Sequence, residues 1–339
     1  MFYYNIYIYL QNNLKRKGYE CKTFLRDRIL PKWVHVLYQK AYYRYIKTHP
    51  MYQAGRIYED FIGRKINWDN PQEYSEKGRW LQFNSDTSRW AELADKYRVR
   101  KYIEEKGFAE NLPKLYGVWD DAAKIDFALL PKSFVLKTNH GSGEVIVVKD
   151  KSKIDENDIR ERMNKYLHTP YGYESAEPHY LKISPRIVAE ELLENTCSCS
   201  KTIVDYKIFC FLGEPFLVNI CYDRDSKTHH CIDAWYSTDW KLLDHYLATD
   251  HKGKEFECPK SLSMMYDICR VLTKDFPFVR LDFYDVNGRP YIGEMTFTPS
   301  GFNGDSLTPE ARMEIGKFLD LTKIPSKMLK NPLPKNYKK

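Results

Sequence analysis

The rhythm of hydrophobic and polar positions changes near residue 107. From about residue 20 up to that point apolar residues keep helical spacing, as with Trp33, Leu37, Tyr38 and Ala41. Pro50 and the Asn70-Pro71 pair interrupt the pattern. Trp90 to Lys106 reads as one helix. Thr87 or Ser88 can cap its start, and Gly107 can end it in a left-handed conformation. Strand-like runs then dominate, at 134–139, 144–149, 186–193, 204–212, 215–222, 230–236, 278–285 and 290–296. Helical stretches intervene near 155–167 and 261–275. Thr308-Pro309-Glu310 is a helix start, with Thr308 as cap and Pro309 at the first helical position. There is no internal repeat. Helices first, then hairpins mixed with helices, predict an α+β architecture.

Chemistry gathers in Phe134-Val-Leu-Lys-Thr-Asn-His-Gly-Ser-Gly-Glu-Val-Ile-Val-Val148. A strand carrying Lys137 runs into a turn holding His140, Gly141, Ser142 and Gly143, and a second strand follows. An ammonium beside a glycine turn suits phosphate, because small residues let backbone N–H groups approach phosphate oxygens. Strand alternation alone would put Lys137 in water; the turn directly after it favours the phosphate reading. There is no P-loop pattern. His140 can touch a phosphate or serve as a structural hydrogen-bonding group.

Arg280-Leu-Asp-Phe-Tyr-Asp-Val-Asn-Gly-Arg-Pro-Tyr-Ile-Gly-Glu-Met-Thr296 reads as a hairpin turning at Asn287-Gly288. Asp282 and Glu294 are the residue types that hold Mg²⁺. A two-residue loop pairing Val286 with Arg289 sends them to opposite faces. A three-residue loop, Val286-Asn287-Gly288 with a bulge, puts them on one face, one pair apart. The shared site therefore requires the three-residue loop. Unrelated surface carboxylates are the plainer alternative.

Ile187-Val-Ala-Glu-Glu-Leu-Leu193 is a strand ending in a carboxylate pair; such a segment can offer backbone groups to a base edge. Asp205-Tyr-Lys-Ile-Phe-Cys-Phe211 alternates as a half-buried strand should, so Asp205 and Lys207 share a face, by default a solvated one.

Composition narrows the class. The chain has 339 residues, 43% hydrophobic and 29% charged, which is ordinary for a globular protein with more than one packed unit. The net charge of +7 is modest and dispersed, which argues against nucleic acid as a partner. The stretch from Lys327 to Lys339, with two prolines, reads as a basic solvated tail. The eight cysteines include no C-x-x-C; Cys197-Ser-Cys199 and His229-His-Cys231 read as reduced thiols in or beside strands, consistent with a cytoplasmic location. No third ligand completes a metal set at His229 and His230. No apolar run is long enough to span a membrane. The tyrosine-rich segment Met1 to Leu10, followed by Lys15, Arg16 and Lys17, lacks signal-peptide features and can pack on the protein or lie at the inner face of a membrane.

The order of these pieces resembles the ATP-grasp superfamily. A series beginning at Asn67-Trp-Asp-Asn-Pro-Gln-Glu-Tyr-Ser-Glu-Lys77 and running through Trp80-Leu81, Ala94 to Arg100, Leu130 to Lys137 and Asp205 to Phe211 is similar to its TupA-like branch, found in bacterial loci for surface polysaccharides and teichuronopeptide. The resemblance implies an ATP-grasp fold, two α+β subdomains clamping ATP. It implies a helical region over 1–89, a small subdomain over 90–188, a large one over 189–325 and a tail over 326–339. Lys96 and Lys137 would contact phosphates and residues 139–143 would cover them. Glu190, Glu191 and Leu193 would form the adenine hinge, with Asp205 and Lys207 on the ribose side. Asp282, Glu294 and Thr296 would hold Mg²⁺. Thr296 departs from the family's usual Asn. The N-terminal region lacks the strands of the usual preceding α/β domain, so the substrate does not carry over.

The implied activity is an ATP- and Mg²⁺-dependent carboxylate–amine ligase working through an acyl phosphate that Arg280 steadies. Its partners would be a small-molecule or glycan-precursor carboxylate and an amine. The helical region before residue 90, rich in Tyr and Trp, would pack on the core and help form the acceptor site. The alternative is a glycosyltransferase or a non-catalytic nucleotide-binding component of the same pathway, since a Mg²⁺ pair also suits a sugar nucleotide.

Overall fold

The computed structural model describes residues 32–225, 231–247, 255–304 and 306–337. The chain divides into two compact units, Met1–His49 and Pro50–Lys339. Among the described residues the first holds one helix, α1 (Lys32–Thr48), which contains the Trp33 to Ala41 spacing. His49 closes it, its N–H donating to the Tyr45 carbonyl at 3.1 Å and its ring stacking on Tyr45. The Met1–Leu10 segment and its basic neighbours lie outside the described residues, as do His229 and His230.

The second unit opens with α2 (Pro50–Ile62), α3 (Tyr74–Asn84), a single turn α4 (Trp90–Leu93) and α5 (Val99–Glu105). The helix expected over 90–106 is broken. Asp95 accepts hydrogen bonds from the Tyr97 and Arg98 N–H groups at 2.9 and 3.1 Å, capping a fresh turn in mid-segment. A short acid competing for backbone donors is invisible to periodicity. The start of α4 has no side-chain cap; the Trp90 N–H goes to the Thr87 backbone carbonyl. Gly107 does take the left-handed conformation, at φ +89°.

Then come β1 (Leu115–Trp119), β2 (Phe134–Thr138), β3 (Val145–Val148), α6 (Glu156–His168) and β4 (Ile187–Glu190). Their strands form an antiparallel sheet in the order β1-β4-β2-β3. β1 carried no strand signal because it does not alternate: all its residues are half-buried, and Gly117 sits at a register shift. On one face of this sheet Phe134, Leu136, Ile146 and Val148 pack on Ile159, Met163 and Leu167 of α6.

The second sheet is built from β5 (Asp205–Phe211), β6 (Glu214–Tyr222), β7 (Ile232–Tyr236), β8 (Phe278–Val286) and β9 (Arg289–Thr296), antiparallel in the order β7-β6-β5-β8-β9. It is covered twice. Ile208, Val218, Ile220 and Leu281 cluster with Met265, Ile268 and Leu272 of α7 (Leu262–Thr273). Phe209, Phe211, Leu217 and Phe278 cluster with Tyr74, Trp80 and Leu81 of α3 and with Ala311 and Ile315 of α8 (Pro309–Phe318). Each such side chain contributes about 1.5–3 kcal/mol when fully buried. Thr308 caps α8 as its sequence predicts, accepting from the Ala311 N–H at 3.1 Å.

α3 is buried from Tyr74 to Gln82, charges included. Glu73, just before it, meets Arg312 at 3.0 Å and Tyr58 at 2.5 Å. Lys77 donates to the Gly316 carbonyl at 2.7 Å, and Arg79 to Gln82 and to Asn303. Glu76 accepts from the Asn67 and Gln72 N–H groups and from Arg64. Buried charges need such partners, and they lock the segment 58–84 onto the end of the chain.

Two further expectations are corrected. Leu329, Leu333 and Tyr337 pack against the core while Lys327, Lys330 and Lys335 stay exposed, so the C-terminal stretch is a strap and not a free tail. The Lys330 N–H reaches the Asn84 carbonyl at 2.6 Å. The cysteines are not all thiols: Cys197 pairs with Cys199 and Cys221 with Cys231, leaving Cys210, Cys258 and Cys269 free among the described residues. Cross-strand neighbourhood, which spacing does not reveal, brings Cys221 to Cys231. No helix among the described residues is long and apolar enough to cross a membrane.

Candidate active site

The β8–β9 hairpin places Asp282 directly opposite Glu294. It does so by a route other than the one the turn signal suggested. Val286 pairs with Arg289, so the loop is the two-residue Asn287-Gly288, both left-handed at φ +54° and +82°. That register alone would separate the two acids. A bulge restores them to one face: Asp282 faces Glu294 while Phe283 faces Ile292, so Gly293 is the extra residue. The side chain of Thr296 joins them, its hydroxyl donating to Glu294 Oε1 at 2.7 Å.

Arg280 ties this group together. Its Nε and Nη2 each donate to Asp282 at 2.6 Å, and Nη2 also reaches Glu294 at 3.1 Å and Thr296 at 3.2 Å. From β5, Lys207 reaches Asp282 at 2.6 Å and Asp205 at 3.7 Å. Arg224, after β6, holds Asp205 at 2.6 Å. Asp205 is buried, not solvated as strand alternation suggested. Burial acts to raise the Glu294 carboxyl, but Lys96, Arg280 and Lys207 outweigh it and hold Glu294 well below the usual carboxylate range. Asp282 is pushed upward by burial, with Arg280 and Lys207 opposing and Glu294 adding to the rise.

The other wall comes from the four-stranded sheet. Lys137 on β2 projects away from the α6 face and pairs with Glu190 of β4 at 2.5 Å. Arg100 of α5 reaches the same carboxylate at 3.2 Å. The turn 139–144 joins β2 to β3. Gly143 is left-handed at φ +81°, and a β-carbon on Gly141 would run into the Glu144 carboxylate, which itself accepts from Thr138. His140 is buried, with Nε2 3.3 Å from the Thr169 carbonyl and Nδ1 without a hydrogen-bond partner; Ser142 is exposed.

Lys96 connects the two walls. It lies in the break between α4 and α5 that Asp95 creates. Its N–H donates to the Asn139 carbonyl at 3.3 Å, its ammonium donates to the Gly141 carbonyl at 2.6 Å, and the same ammonium lies 3.7 Å from Glu294. One cation therefore touches both the glycine turn and the carboxylate hairpin.

The segment after β4 is differently committed. Glu190 spends its carboxylate on Lys137 and Arg100. The Glu191 N–H donates to the Lys114 carbonyl at 2.9 Å, and its carboxylate accepts from the Lys114 N–H at 3.2 Å. Leu193 follows, half-buried, in irregular chain.

Sequence reasoning assigned no role to Arg100, although it ends the Ala94–Arg100 piece, and missed Arg224, which stands in no motif, and a buried group preceding β4. There Glu177 bonds Thr298, two residues beyond Thr296, with its Oε2 lacking a hydrogen-bond partner, and Tyr171 and Tyr180 lie edge to face. Burial raises the Glu177 carboxyl and lowers the His179 imidazole to about 3.

Asp282, Glu294 and Thr296 offer only oxygen donors on one face, which fits a hard divalent cation such as Mg²⁺. A glycine turn with lysines, facing an acidic hairpin, agrees with a family model for TupA-like ATP-grasp, which matches residues 76–319. The chain belongs to the TupA-like ATP-grasp family. The match spans both sheets and leaves α1 and α2 outside. No curated protein matches the chain. Among solved structures, D-alanine–D-alanine ligase from Bacillus anthracis, complexed with ATP, is similar at 12% identity and a TM-score of 0.39, over 73% of this chain and 76% of that one. The Helicobacter pylori D-alanine–D-alanine ligase gives 13% and 0.40, over 77% and 68%. The ATP-grasp ligase PsnB with its minimal precursor gives 10% and 0.39, over 74% and 67%. At such scores these likenesses carry no argument; the family rests on the family model.

Proposed function

We propose that this ATP-grasp protein is an ATP- and Mg²⁺-dependent carboxylate–amine ligase. The observation that carries the reading is the position of Lys96, whose ammonium is shared between the glycine turn and Glu294. Phosphates lying under the turn would meet Lys96 and Lys137 on one side and the Asp282–Glu294 face on the other. Each carboxylate already has a cationic neighbour, in Arg280, Lys207, Lys96 or Arg224. An incoming polyphosphate thus meets cations that can turn from carboxylate to phosphate.

Mg²⁺ held by Asp282, Glu294 and Thr296 would neutralise charge on the transferring phosphoryl group. The substrate carboxylate attacks the γ-phosphorus and ADP leaves. The amine then attacks the acyl carbon, inorganic phosphate leaves, and the amine proton passes to solvent. Arg280 keeps the acids aligned and faces the acyl phosphate with positive charge. Asp205 and Lys207 serve the ribose side, and the chain around Glu190, Glu191 and Leu193 the adenine. The acceptors are a glycan-precursor or amino-acid carboxylate and an amine, met in the cytoplasm where ATP is made. Support for the glycan is the family resemblance.

The test is nucleotide choice followed by turnover. ATP with Mg²⁺ should raise the melting temperature, while UDP- and GDP-sugars should not. ADP should then appear when carboxylate and amine candidates are supplied together. Stabilisation by a sugar nucleotide and not by ATP would replace this reading with a glycosyltransferase.

A further inference from the structure

The Cys221–Cys231 pair touches the nucleotide side of the site through a short chain of contacts. On β6, Cys221 stands directly opposite Asp205 of β5 on one side and Asp233 of β7 on the other. Its Cα lies 5.7 Å from that of Cys231, within the span a disulfide needs. Arg224 donates at once to Asp205, at 2.6 Å, and to Cys221 Sγ, at 3.3 Å. Cys231 Sγ lies 3.9 Å from Asp233 Oδ1. The pair therefore staples the two ends of the stretch that carries Arg224.

We propose that Cys221 and Cys231 form a reversible thiol–disulfide site whose redox state sets the strength of nucleotide binding through Arg224 and Asp205. This rests on the reading of Asp205 as a nucleotide-binding residue. The oxidant is a low-molecular-weight disulfide. Cys231, the more exposed of the two, attacks it as the thiolate, forming a mixed disulfide and releasing one small thiolate. Cys221 then attacks the Cys231 sulfur as a thiolate and releases the second. Two protein thiols are oxidised, one small disulfide is reduced, and the two protons go to the released thiolates. The Arg224 guanidinium beside Cys221 favours its thiolate for that second step.

In the disulfide form Cys221 carries no charge, so its sulfur is only a weak acceptor at 3.3 Å and the Arg224 guanidinium stays committed to Asp205 at 2.6 Å. In the dithiol form the sulfur competes with Asp205 for the same guanidinium, and the stretch loses its covalent clasp. Reduction should weaken ATP binding. Arg224 is 38% exposed, so the effect of loosening its ion pair is about two- to fivefold in Kd.

The experiment uses the full chain with Cys197→Ser and Cys199→Ser, which removes the other pair. Protein equilibrated in glutathione disulfide, or reduced with dithiothreitol, is alkylated and mapped, and ATP with Mg²⁺ is titrated calorimetrically in each state. The expected result is Cys221 and Cys231 protected together until reduction, a two- to fivefold weaker Kd in the reduced protein, and no redox response after adding Cys221→Ser and Cys231→Ser. Alkylation of both cysteines after glutathione disulfide treatment would overturn the pair. A formed pair with equal Kd in both states would overturn the coupling and leave the nucleotide site standing. Absence of ATP binding in both states would overturn the nucleotide reading itself, and the coupling with it.

Discussion

The two sheets approach the site with different chemistry. The five-stranded sheet brings a closed lattice: Arg280, Asp282, Glu294, Thr296, Lys207 and Asp205 occupy three adjacent strands and bond one another at 2.6–3.7 Å. The four-stranded sheet brings one ion pair, Lys137 with Glu190, and a turn whose shape depends on Gly141 and Gly143. The first is rigid because every member has partners on neighbouring strands. The second has a backbone wall that can approach a ligand, fastened to the lattice by Lys96. A site of this kind separates holding charge in place from closing over it, and the two tasks should fail differently when mutated.

The largest effect should fall on the lattice acids. Asp282→Asn or Glu294→Gln should lower turnover by about a thousandfold or more, as removal of transition-state charge stabilisation does, with a smaller change in ATP affinity. Steady-state ADP release alongside calorimetry reads both. If Lys137→Ala costs more turnover than either, the division of labour is reversed.

Arg280→Met should be next, and should show in stability as well as activity. It leaves Asp282 buried with its main partner gone, which costs about 3–5 kcal/mol. Urea unfolding measures this. A loss no larger than that of an exposed ion pair would mean that the lattice is not cooperative.

Lys137→Ala should weaken ATP binding by about 1.5–3 kcal/mol, the range for a charge-assisted contact, while the fold persists because Arg100 still pairs with Glu190. Unchanged affinity by calorimetry would remove Lys137 from the phosphate site.

The pH response sharpens the contrast further. His179 is buried with its Nε2 lacking a hydrogen-bond partner, packed edge-on against Trp90, and its imidazole is lowered from 6.5 to about 3 by burial. The unfolded chain then binds the extra proton first, so stability falls as pH drops from about 6.5 towards 3, by up to about 1.4 kcal/mol per pH unit. Glu294 adds to the loss only below its ordinary range, because its carboxyl is held down in the folded state. His179→Phe should flatten the upper part of this decline in urea titrations from pH 7 to 5. An unchanged slope would show that another group carries it.

The second sheet was largely legible in the sequence, because its strands are rich in aromatic and β-branched residues and its hairpin has a strong turn signal. The turn itself misled: Asn287-Gly288 is the two-residue loop, and the shared face of Asp282 and Glu294 comes from the bulge at Gly293. A glycine in mid-strand is a bulge signal, and Gly293 was the residue that could have given the right route. α3 was harder, since the buried charges in it and at its start are satisfied by Arg64, Arg312 and the Gly316 carbonyl, partners near and far in sequence. Arg100 and Arg224 belong to no spacing pattern, and only the assembled strands bring them to Glu190 and Asp205. Asp95 broke a helix that periodicity had drawn as continuous, and that break is what places Lys96 against the glycine turn.

The central claim is that Asp282 and Glu294 jointly hold a divalent cation together with ATP. Its most direct test is electron paramagnetic resonance of Mn²⁺, standing in for Mg²⁺, titrated into the protein at fixed ATP. The account predicts that wild-type protein depletes the free Mn²⁺ signal beyond what ATP alone does, and that Asp282→Asn combined with Glu294→Gln abolishes the excess. Equal depletion by wild type and the double variant would contradict it.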